Sequence, residues 1–244
     1  QDGRVTLTAD IQLSPGKHIR AQGSDFAEGD VLIEAGAVLT PARLALAIAA
    51  GHGHVSVARP VRVVILSTGD ELRAPGEPCA DDQIPASNGP MLAALLAQPG
   101  VILDDLGIVP DSMEAMANAL DRAKGADVII TLGGASVGDH DLVRPALLAA
   151  GAEIDFWKVA MKPGKPLMAG QLDQSIVLGL PGNPASAYVT AILFALPLIK
   201  ALMGAADPLP RSVPLPVGAP IPANGPRTDH LRAVLDEGQV VPVG

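Results

Sequence analysis

The chain has 244 residues and a formal net charge of −9 at neutral pH, because 17 lysines and arginines stand against 26 aspartates and glutamates. This charge argues against a nucleic-acid-binding protein, whose phosphate contacts require a basic surface. Hydrophobic residues make up 48% of the sequence, which can fill a sizeable core, so disorder throughout the chain is excluded. The single cysteine, Cys79, cannot form an internal disulfide, and we expect a reduced, cytoplasmic setting.

The sequence predicts no membrane partner. Its longest apolar run, residues 191–199, has about half the length of a membrane span and contains Pro197. The chain begins with Gln1, and no basic flank is followed by an apolar core, so we expect neither a transmembrane helix nor a signal peptide.

Residues 1–60 are predicted to form a β-rich segment of an incomplete N-terminal domain. Glycine-containing turn signals separate short stretches of strand-forming residues there. One helix is predicted to interrupt them, with Thr40 as its cap, Pro41 in its first position and Gly51 at its end.

The most regular pattern lies in residues 61–205, which we predict to form a central α/β domain. Continuous apolar runs predict strands buried on both faces at 61–66, 128–132 and 175–180. Helical patterns alternate with them at 90–97, 113–124, 145–150 and 184–203. This order predicts a doubly wound, mostly parallel sheet whose ligands bind beyond the carboxyl ends of the strands.

The last residues, 206–244, are predicted to begin an incomplete C-terminal β domain, which makes the protein multidomain. Seven of the 23 prolines fall between Pro208 and Pro226. Prolines at this density indicate a linker that enters irregular or edge-strand structure.

The loop after the first predicted strand contains Thr68, Gly69, Asp70 and Glu71. Its glycine permits a sharp turn, and the two adjacent carboxylates are left at the mouth of the sheet. A helix cap is the alternative interpretation, since Ser, Thr and Asp favour helix starts.

The loop after strand 128–132 is predicted to bind a phosphate. Its candidate residues are Gly133, Gly134, Ser136, Gly138 and Asp139. Consecutive backbone N–H groups can converge on one anion there, although the spacing matches neither the P-loop nor the dinucleotide motif. Asp141 follows, and carboxylates beside a phosphate favour a magnesium ion between them. Alternatively, one aspartate only caps the next helix.

Half of the six lysines, Lys158, Lys162 and Lys165, lie within eight residues. Pro163 and Gly164 predict a type II turn that brings the ammonium groups of Lys162 and Lys165 together. On an extended strand Lys158 would point to the same face. Such a cluster suits a phosphate or a tetrahedral oxyanion, and a solvated hairpin is the alternative.

The loop after strand 175–180 is predicted to deliver a helix N-terminus to the same edge of the sheet. Its residues are Pro181, Gly182, Asn183, Pro184 and Ser186. Asn183 is a good cap and Pro184 suits the first helical position, so a purely structural cap is the alternative to ligand binding. The sequence offers no Ser-His-Asp or Cys-His arrangement, so it does not support nucleophilic catalysis.

Together these stretches resemble the molybdopterin molybdenumtransferase family of the MoeA type, whose module also forms the C-terminal part of gephyrin. The matching motifs are residues 66–72, 133–139, 158–166 and 180–187, in the family's order. The resemblance implies a central domain of the molybdopterin-binding type. It also implies a homodimer that inserts molybdate into adenylylated molybdopterin and releases AMP.

The resemblance further implies roles for individual residues. The predicted catalytic residues are Glu71, Asp111, Asp141, Lys158 and Lys162, of which Glu71, Asp111 and Asp141 would hold Mg²⁺. The lysines would receive molybdate or the adenylyl phosphate, with Arg232 as a contributor. The predicted substrate-binding residues are Thr68, Gly69, Asp70, Gly133, Gly134, Ser136, Gly138, Asp139, Lys165, Pro181, Gly182, Asn183, Pro184, Ser186 and Arg232.

Two other functions compete with this one. The adenylyltransferase that makes adenylylated molybdopterin shares the central fold and the Gly-Gly loop, but the β-rich segments on both sides favour the insertase. A non-catalytic pterin-binding or scaffolding module is the second alternative, since gephyrin uses the same domain.

Overall fold

The computed structural model describes residue 3 and residues 14–133 and 142–243. The chain divides into two compact units, Gln1–Val55 and Ser56–Gly244. The division into three domains that the sequence suggests stays a prediction.

The first unit contains helix α1, Pro41–Ala49, capped as predicted by the Thr40 hydroxyl, which accepts a hydrogen bond from the Arg43 N–H at 3.3 Å. Residues 14–40 form local turns, for example through the bond from the Lys17 N–H to the Ser14 carbonyl. A strand needs a second strand to pair with, and in residues 14–55 none is present. The short strands predicted here are therefore absent from the described part of this unit.

The second unit alternates strands and helices. Its elements are β1 (Val61–Thr68), β2 (Leu72–Arg73), β3 (Ile84–Pro85), α2 (Asn88–Leu96), β4 (Val101–Val109), α3 (Met113–Arg122), β5 (Val128–Leu132), α4 (Val143–Ala149), β6 (Glu153–Phe156), β7 (Met161–Lys162), β8 (Met168–Leu172), β9 (Ser175–Leu180), α5 (Pro184–Thr190), a π-helical turn (Ala191–Ala195), α6 (Leu196–Leu202), β10 (Thr228–Asp229), β11 (Ala233–Asp236) and β12 (Gln239–Pro242).

Six strands form the central sheet in the order β4-β1-β5-β9-β8-β6. The first four run parallel, whereas β8 is antiparallel to both β9 and β6. The predicted α/β class with a mostly parallel sheet is therefore confirmed. The sequence pattern missed β4 because this edge strand is half-exposed and Asp104 and Asp105 interrupt its apolar residues.

Each face of the sheet carries its own hydrophobic core. In β1, Val64 and Leu66 pack towards α3 and α4, while Val63 and Ile65 pack towards α2 and the α5–α6 helix. Because successive strand residues point to opposite faces, the uninterrupted apolar run of β1 serves both cores.

The predicted helix 184–203 is a continuous helical run of 19 residues, Pro184–Leu202, with a π-helical turn in its middle. Pro197 lies just after that turn; it has no N–H to donate, and such a residue commonly disturbs the ladder of helical hydrogen bonds. By length and by its mean hydropathy of 1.8 the run could cross a membrane, which is weak evidence because core helices pass the same test. Ala191 and Ile199 are fully buried against the sheet, as a core helix requires.

Asp127 directly precedes β5 and lies at the end of the sheet opposite the carboxyl ends of the parallel strands. There it connects β5 to the chain at the start of β1. Its carboxylate accepts two hydrogen bonds from the Arg59 guanidinium, at 2.9 and 2.6 Å, and one from the Arg62 N–H at 2.8 Å. The hydrogen bond from Arg59 is the main cause that lowers the pKa of Asp127 below its ordinary value. The charged form of Asp127 is thus bound more tightly in the folded protein than in the unfolded chain.

Asp127→Asn should lower the free energy of unfolding at pH 7 by about 1–3 kcal/mol, because it weakens charge-assisted bonds to a half-buried carboxylate. A carboxyl with a lowered folded pKa stabilises the fold above the unfolded pKa of about 3.9 and loses that effect as the pH falls through the folded pKa. The difference between wild type and variant should therefore shrink between pH 6 and pH 3 in urea unfolding.

The matched control for this prediction is Asp121→Asn. Asp121 also contacts a cation, Lys124, at 2.6 Å, but the two side chains are 70% and 68% exposed. Exposed pairs contribute little, so the control should change stability only slightly at either pH. An equal loss in both variants would contradict the role given to Asp127.

Candidate functional site

The carboxyl ends of β1, β4, β5 and β9 meet at one edge of the sheet, and a cavity of about 670 Å³ lies there. Its lining includes Ser67, Thr68, Gly69, Glu71, Asn88, Asp111, Gly133, Leu142, Pro166, Pro181, Gly182, Asn183, Pro184 and Ser186. Ligand cavities in proteins commonly have this size. The cavity thus lies at the predicted position of the site, beyond the strand ends.

The loop after β1 is a tight turn closed by a hydrogen bond of 3.0 Å from the Leu72 N–H to the Gly69 carbonyl. A Cβ atom at Gly69 would lie 2.5 Å from a carboxylate oxygen of Glu71, and the φ angle of Gly69 is +146°. Glycine therefore allows the Glu71 carboxylate to fold back over the turn and to line the cavity. The turn leads into strand β2, so the alternative interpretation as a helix cap is wrong.

Asp70 and Asp111 tie the loops after β1 and β4 together. The Asp70 N–H donates to the Asp111 carboxylate at 3.3 Å, and the Asp111 N–H donates to the Asp70 carboxylate at 3.1 Å. Asp111 also lines the cavity, whereas Asp70 is exposed outside it. Asp70 thus holds the loops in place, and its predicted contact with substrate stays a prediction.

The loops after β1, β5 and β9 lie close together, and the contact between the first two requires a glycine at position 133. A Cβ atom at Gly133 would lie 2.5 Å from the carbonyl oxygen of Thr68, and one at Gly182 would lie 3.6 Å from the Cα of Gly133. Gly133 also has a φ angle of +91°, which side chains disfavour. The floor of the cavity is therefore built from closely packed backbone.

Asn88 lines the cavity, although no sequence motif predicted it as a site residue. Its side-chain amide donates to the Gly182 carbonyl at 2.6 Å, while its amide oxygen is buried and has no hydrogen-bond partner among the described residues. An unpaired buried oxygen is costly unless a ligand or water donates to it. The available signal was the pair Ser87-Asn88 at the start of a helix that follows a strand.

The loop after β9 begins a helix, as predicted. The Asn183 side chain accepts hydrogen bonds from the backbone N–H of Ser186 at 3.1 Å and from its hydroxyl at 3.3 Å, and Pro184 occupies the first helical turn. The cap is thus formed, and these residues also line the cavity. A further role in binding the ligand stays a prediction.

The lysine segment differs from the expected extended strand. Residues 157–160 separate β6 from β7, the peptide bond between Lys162 and Pro163 is cis, and Lys158 and Lys162 have different partners. Lys158 lies 4.5 Å from the centre of the Trp157 ring, and Lys162 lies 3.7 Å from the Asp229 carboxylate. The idea of one continuous strand that aims both lysines at one face is therefore wrong.

The cationic residues predicted to receive the anion do not line the cavity described above. Lys158, Lys162, Lys165 and Arg232 are exposed, and the nearest cavity residue in sequence is Pro166. Strand β10 pairs with β7, which brings the chain that leads to Arg232 next to the lysine segment. The common role of these cations stays a prediction.

The predicted magnesium site can be compared with the structure only in part. Glu71 and Asp111 both line the cavity, and Mg²⁺ commonly uses one or two carboxylates together with substrate phosphates, so these residues fit the ion. Asp141 lies outside the described residues, together with Gly134, Ser136, Gly138 and Asp139. Within the described residues no three His, Cys, Asp or Glu side chains group as metal ligands.

Two protein families match this chain. The family described as "Probable molybdopterin binding domain" matches residues 64–201, which cover most of the sheet and the cavity. The family described as "MoeA N-terminal region (domain I and II)" matches residues 2–51.

Similar proteins and structures agree with these matches. A molybdopterin molybdenumtransferase of Haemophilus influenzae is 40% identical over 84% of this chain and 50% of its own length. Molybdopterin molybdenumtransferase 2 of Mycobacterium tuberculosis is 40% identical over 81% of this chain and 50% of its own length. The solved structure of a MoeA protein of molybdopterin biosynthesis from Pyrococcus horikosii has a TM-score of 0.74 and 27% identity, covering 91% of this chain and 55% of that one.

The chain spans about half the length of the curated relatives it matches. The resemblance seen in four sequence motifs is confirmed by the family matches, the identities of 40% and the shared fold. The chain therefore belongs to the molybdopterin-binding domain family and, within it, to the MoeA type.

Proposed function

We propose that the protein acts in molybdenum cofactor biosynthesis and inserts molybdate into adenylylated molybdopterin, with release of AMP. The cavity at the carboxyl edge of the sheet carries this proposal. It combines carboxylates, closely packed loop backbone and an amide oxygen that has no hydrogen-bond partner among the described residues, in about 670 Å³, the size class of small-ligand sites. The curated relatives named molybdopterin molybdenumtransferase support the assignment.

The backbone around the cavity is suited to bind the phosphates of this substrate. The closely packed loops at Gly133 and Gly182 bring main-chain groups to the ligand without side chains in between. Asn183 presents the first turn of a long helix, whose N–H groups and dipole favour a negative charge. The amide oxygen of Asn88, which has no hydrogen-bond partner among the described residues, would accept a hydrogen bond from the pterin.

Glu71 and Asp111 would hold a magnesium ion at the cavity wall, with Asp141 as a third candidate. When bound, such an ion neutralises phosphate charge and polarises the bond to the leaving AMP. Lys162 and Lys165 would offset the charge that develops on the departing phosphate or on molybdate. In this reaction water attacks the phosphoanhydride of the adenylylated pterin, the bond to the adenylyl group breaks, and AMP leaves. The two sulfur atoms of the pterin bind molybdenum and replace oxygen atoms of molybdate, which leave as water after taking up protons.

The protein is further proposed to work in the cytoplasm as a homodimer, as its family resemblance implies. A reduced cytoplasmic setting agrees with the exposed thiol of Cys79. Size-exclusion chromatography with light scattering tests the dimer directly.

The test of the function is an assay of AMP release. Protein, Mg²⁺ and adenylylated molybdopterin are incubated with and without molybdate, and AMP is quantified. We expect AMP release that requires molybdate and stops when the metal is chelated. Pyrophosphate formation from molybdopterin and Mg-ATP would instead support the adenylyltransferase, and pterin binding without either product would support a scaffolding module.

A further inference from the structure

We infer that Trp157 holds Arg144 and Lys158 together as an oxyanion-binding subsite beside the cavity. The Arg144 guanidinium carbon lies 4.9 Å from the centre of the Trp157 ring, and the Lys158 ammonium lies 4.5 Å from the same point. Aromatic rings attract cations, and this ring has two near its centre that come from different parts of the chain. The inference rests on the proposed function for the identity of the ligand.

The two cations are close enough to act on one anion. Both are within 5 Å of the same ring centre, so the charged centres are less than about 10 Å apart, close to one Debye length in 0.1 M salt. They repel each other at this separation, and a bound oxyanion relieves the repulsion. In the part of the chain that the structure describes, neither Arg144 nor Lys158 forms an ion pair.

This pair differs from the next lysine along the chain. Lys162 lies 3.7 Å from the Asp229 carboxylate, which is only 17% exposed, so part of its charge is already balanced within the protein. Arg144 and Lys158 instead contact an aromatic ring, that of Trp157. A ring fixes the position of a cation without neutralising it, which leaves the charge available for a ligand.

Short stretches of the chain connect the subsite to residues that line the cavity. Arg144 is two residues after Leu142, which lines the cavity. On the other side, the Val159 N–H donates to the Lys165 carbonyl at 3.0 Å, and the next residue, Pro166, also lines the cavity. A ligand in the cavity that carries a phosphate, or a molybdate ion beside it, would meet these cations at the cavity's edge.

Trp157 is suited to this positioning role by its packing. The indole is partly buried and packs against the core on the α3–α4 face of the sheet, so its orientation is fixed. Arg144 stands at the start of α4 and Lys158 directly follows the ring in sequence. The ring therefore connects the helix after the glycine-rich loop to the lysine segment.

The test uses the fluorescence of Trp157, the one tryptophan in the sequence. Inorganic pyrophosphate, added at an ionic strength held constant with chloride, should change the emission saturably. Arg144→Gln and Lys158→Gln should each weaken the apparent affinity about tenfold, because each removes a charge-assisted contact. Lys124→Gln removes the same charge from a lysine that pairs with Asp121, and it should leave the affinity unchanged.

The positioning role is tested by calorimetry with two substitutions of Trp157. Trp157→Phe keeps an aromatic face and should bind pyrophosphate within about threefold of wild type, whereas Trp157→Leu removes the face and should bind about tenfold more weakly. Equal weakening in the two variants would overturn the role of the ring. A parallel titration with molybdate separates the two sources of the anion: the anion that binds more tightly is the natural occupant.

The absence of a saturable signal, or equal weakening by Lys124→Gln, would overturn the subsite. These outcomes can be told apart from failure of the proposed function. Unchanged pyrophosphate affinity in Arg144→Gln, with normal AMP release, overturns the subsite alone. Saturable binding that needs both cations, in a protein that releases no AMP, supports the subsite and overturns the proposed reaction.

Discussion

Gly133→Ala should abolish pterin-phosphate binding and lower the free energy of unfolding by about 3 kcal/mol or more. The new Cβ would lie 2.5 Å from the Thr68 carbonyl oxygen, closer than such contacts allow, and the φ angle of +91° is itself unfavourable for alanine. The contacted atom belongs to the backbone, so it cannot move aside by a change of rotamer as a side-chain atom could. The loops after β1 and β5 must therefore separate, which opens the floor of the cavity.

Gly151→Ala is the matched control for this change. Gly151 has almost the same φ angle, +92°, but a Cβ there would meet nothing within 4 Å. The control should cost about 1–2 kcal/mol, from the backbone conformation alone. Urea unfolding measures both variants, and titration with adenylylated molybdopterin measures binding. Equal effects on stability and binding would show that the contact with Thr68 has no role of its own.

The strands that shape the cavity could be predicted because each is a continuous apolar run. The patterns at 128–132 and 175–180 coincide with β5 and β9, and the one at 61–66 is β1 without its last two residues. These strands are buried on both faces, so hydrophobicity alone reveals them. Once they are parallel, their loops must meet at one edge, and the position of the cavity follows.

The strands that were missed are those whose stability depends on neighbours distant in sequence. β4 is exposed on one edge, and β6 and β8 pair antiparallel at the other edge of the sheet. Gly170 in β8 has no room for a Cβ, which would lie 2.3 Å from the Glu153 carbonyl oxygen, and a lone glycine weakens the sequence signal for a strand. Such contacts exist only after the chain has folded.

The sequence predicted which loops form the candidate site, but it did not predict the contacts that their side chains make. Glu71 and Asn183 were selected for their residue types, and both line the cavity. The bond between Asn88 and the Gly182 carbonyl joins residues 94 positions apart, and no local pattern predicts it. The contacts of Lys158 with the Trp157 ring and of Lys162 with the Asp229 carboxylate were likewise not predictable, because no local sequence pattern indicates them.

The double change Lys162→Ala, Lys165→Ala should lower molybdate-dependent AMP release at least a hundredfold. Each ammonium group that contacts a charged ligand contributes about 1.5–3 kcal/mol, and two such losses reach this range or exceed it. The ion pair of Lys162 with Asp229 does not replace this role, because the Lys162 side chain is 60% exposed and can reach a ligand as well. Stability should change little, since exposed pairs contribute at most about 1 kcal/mol.

Lys124→Ala, Lys200→Ala is the control with the same change in net charge. Lys124 follows α3 and Lys200 lies in α6, so neither belongs to the lysine segment. The control should release AMP at the wild-type rate, which separates a local effect from a general loss of positive charge. If the first pair also retains full AMP release, Lys162 and Lys165 have no part in the reaction.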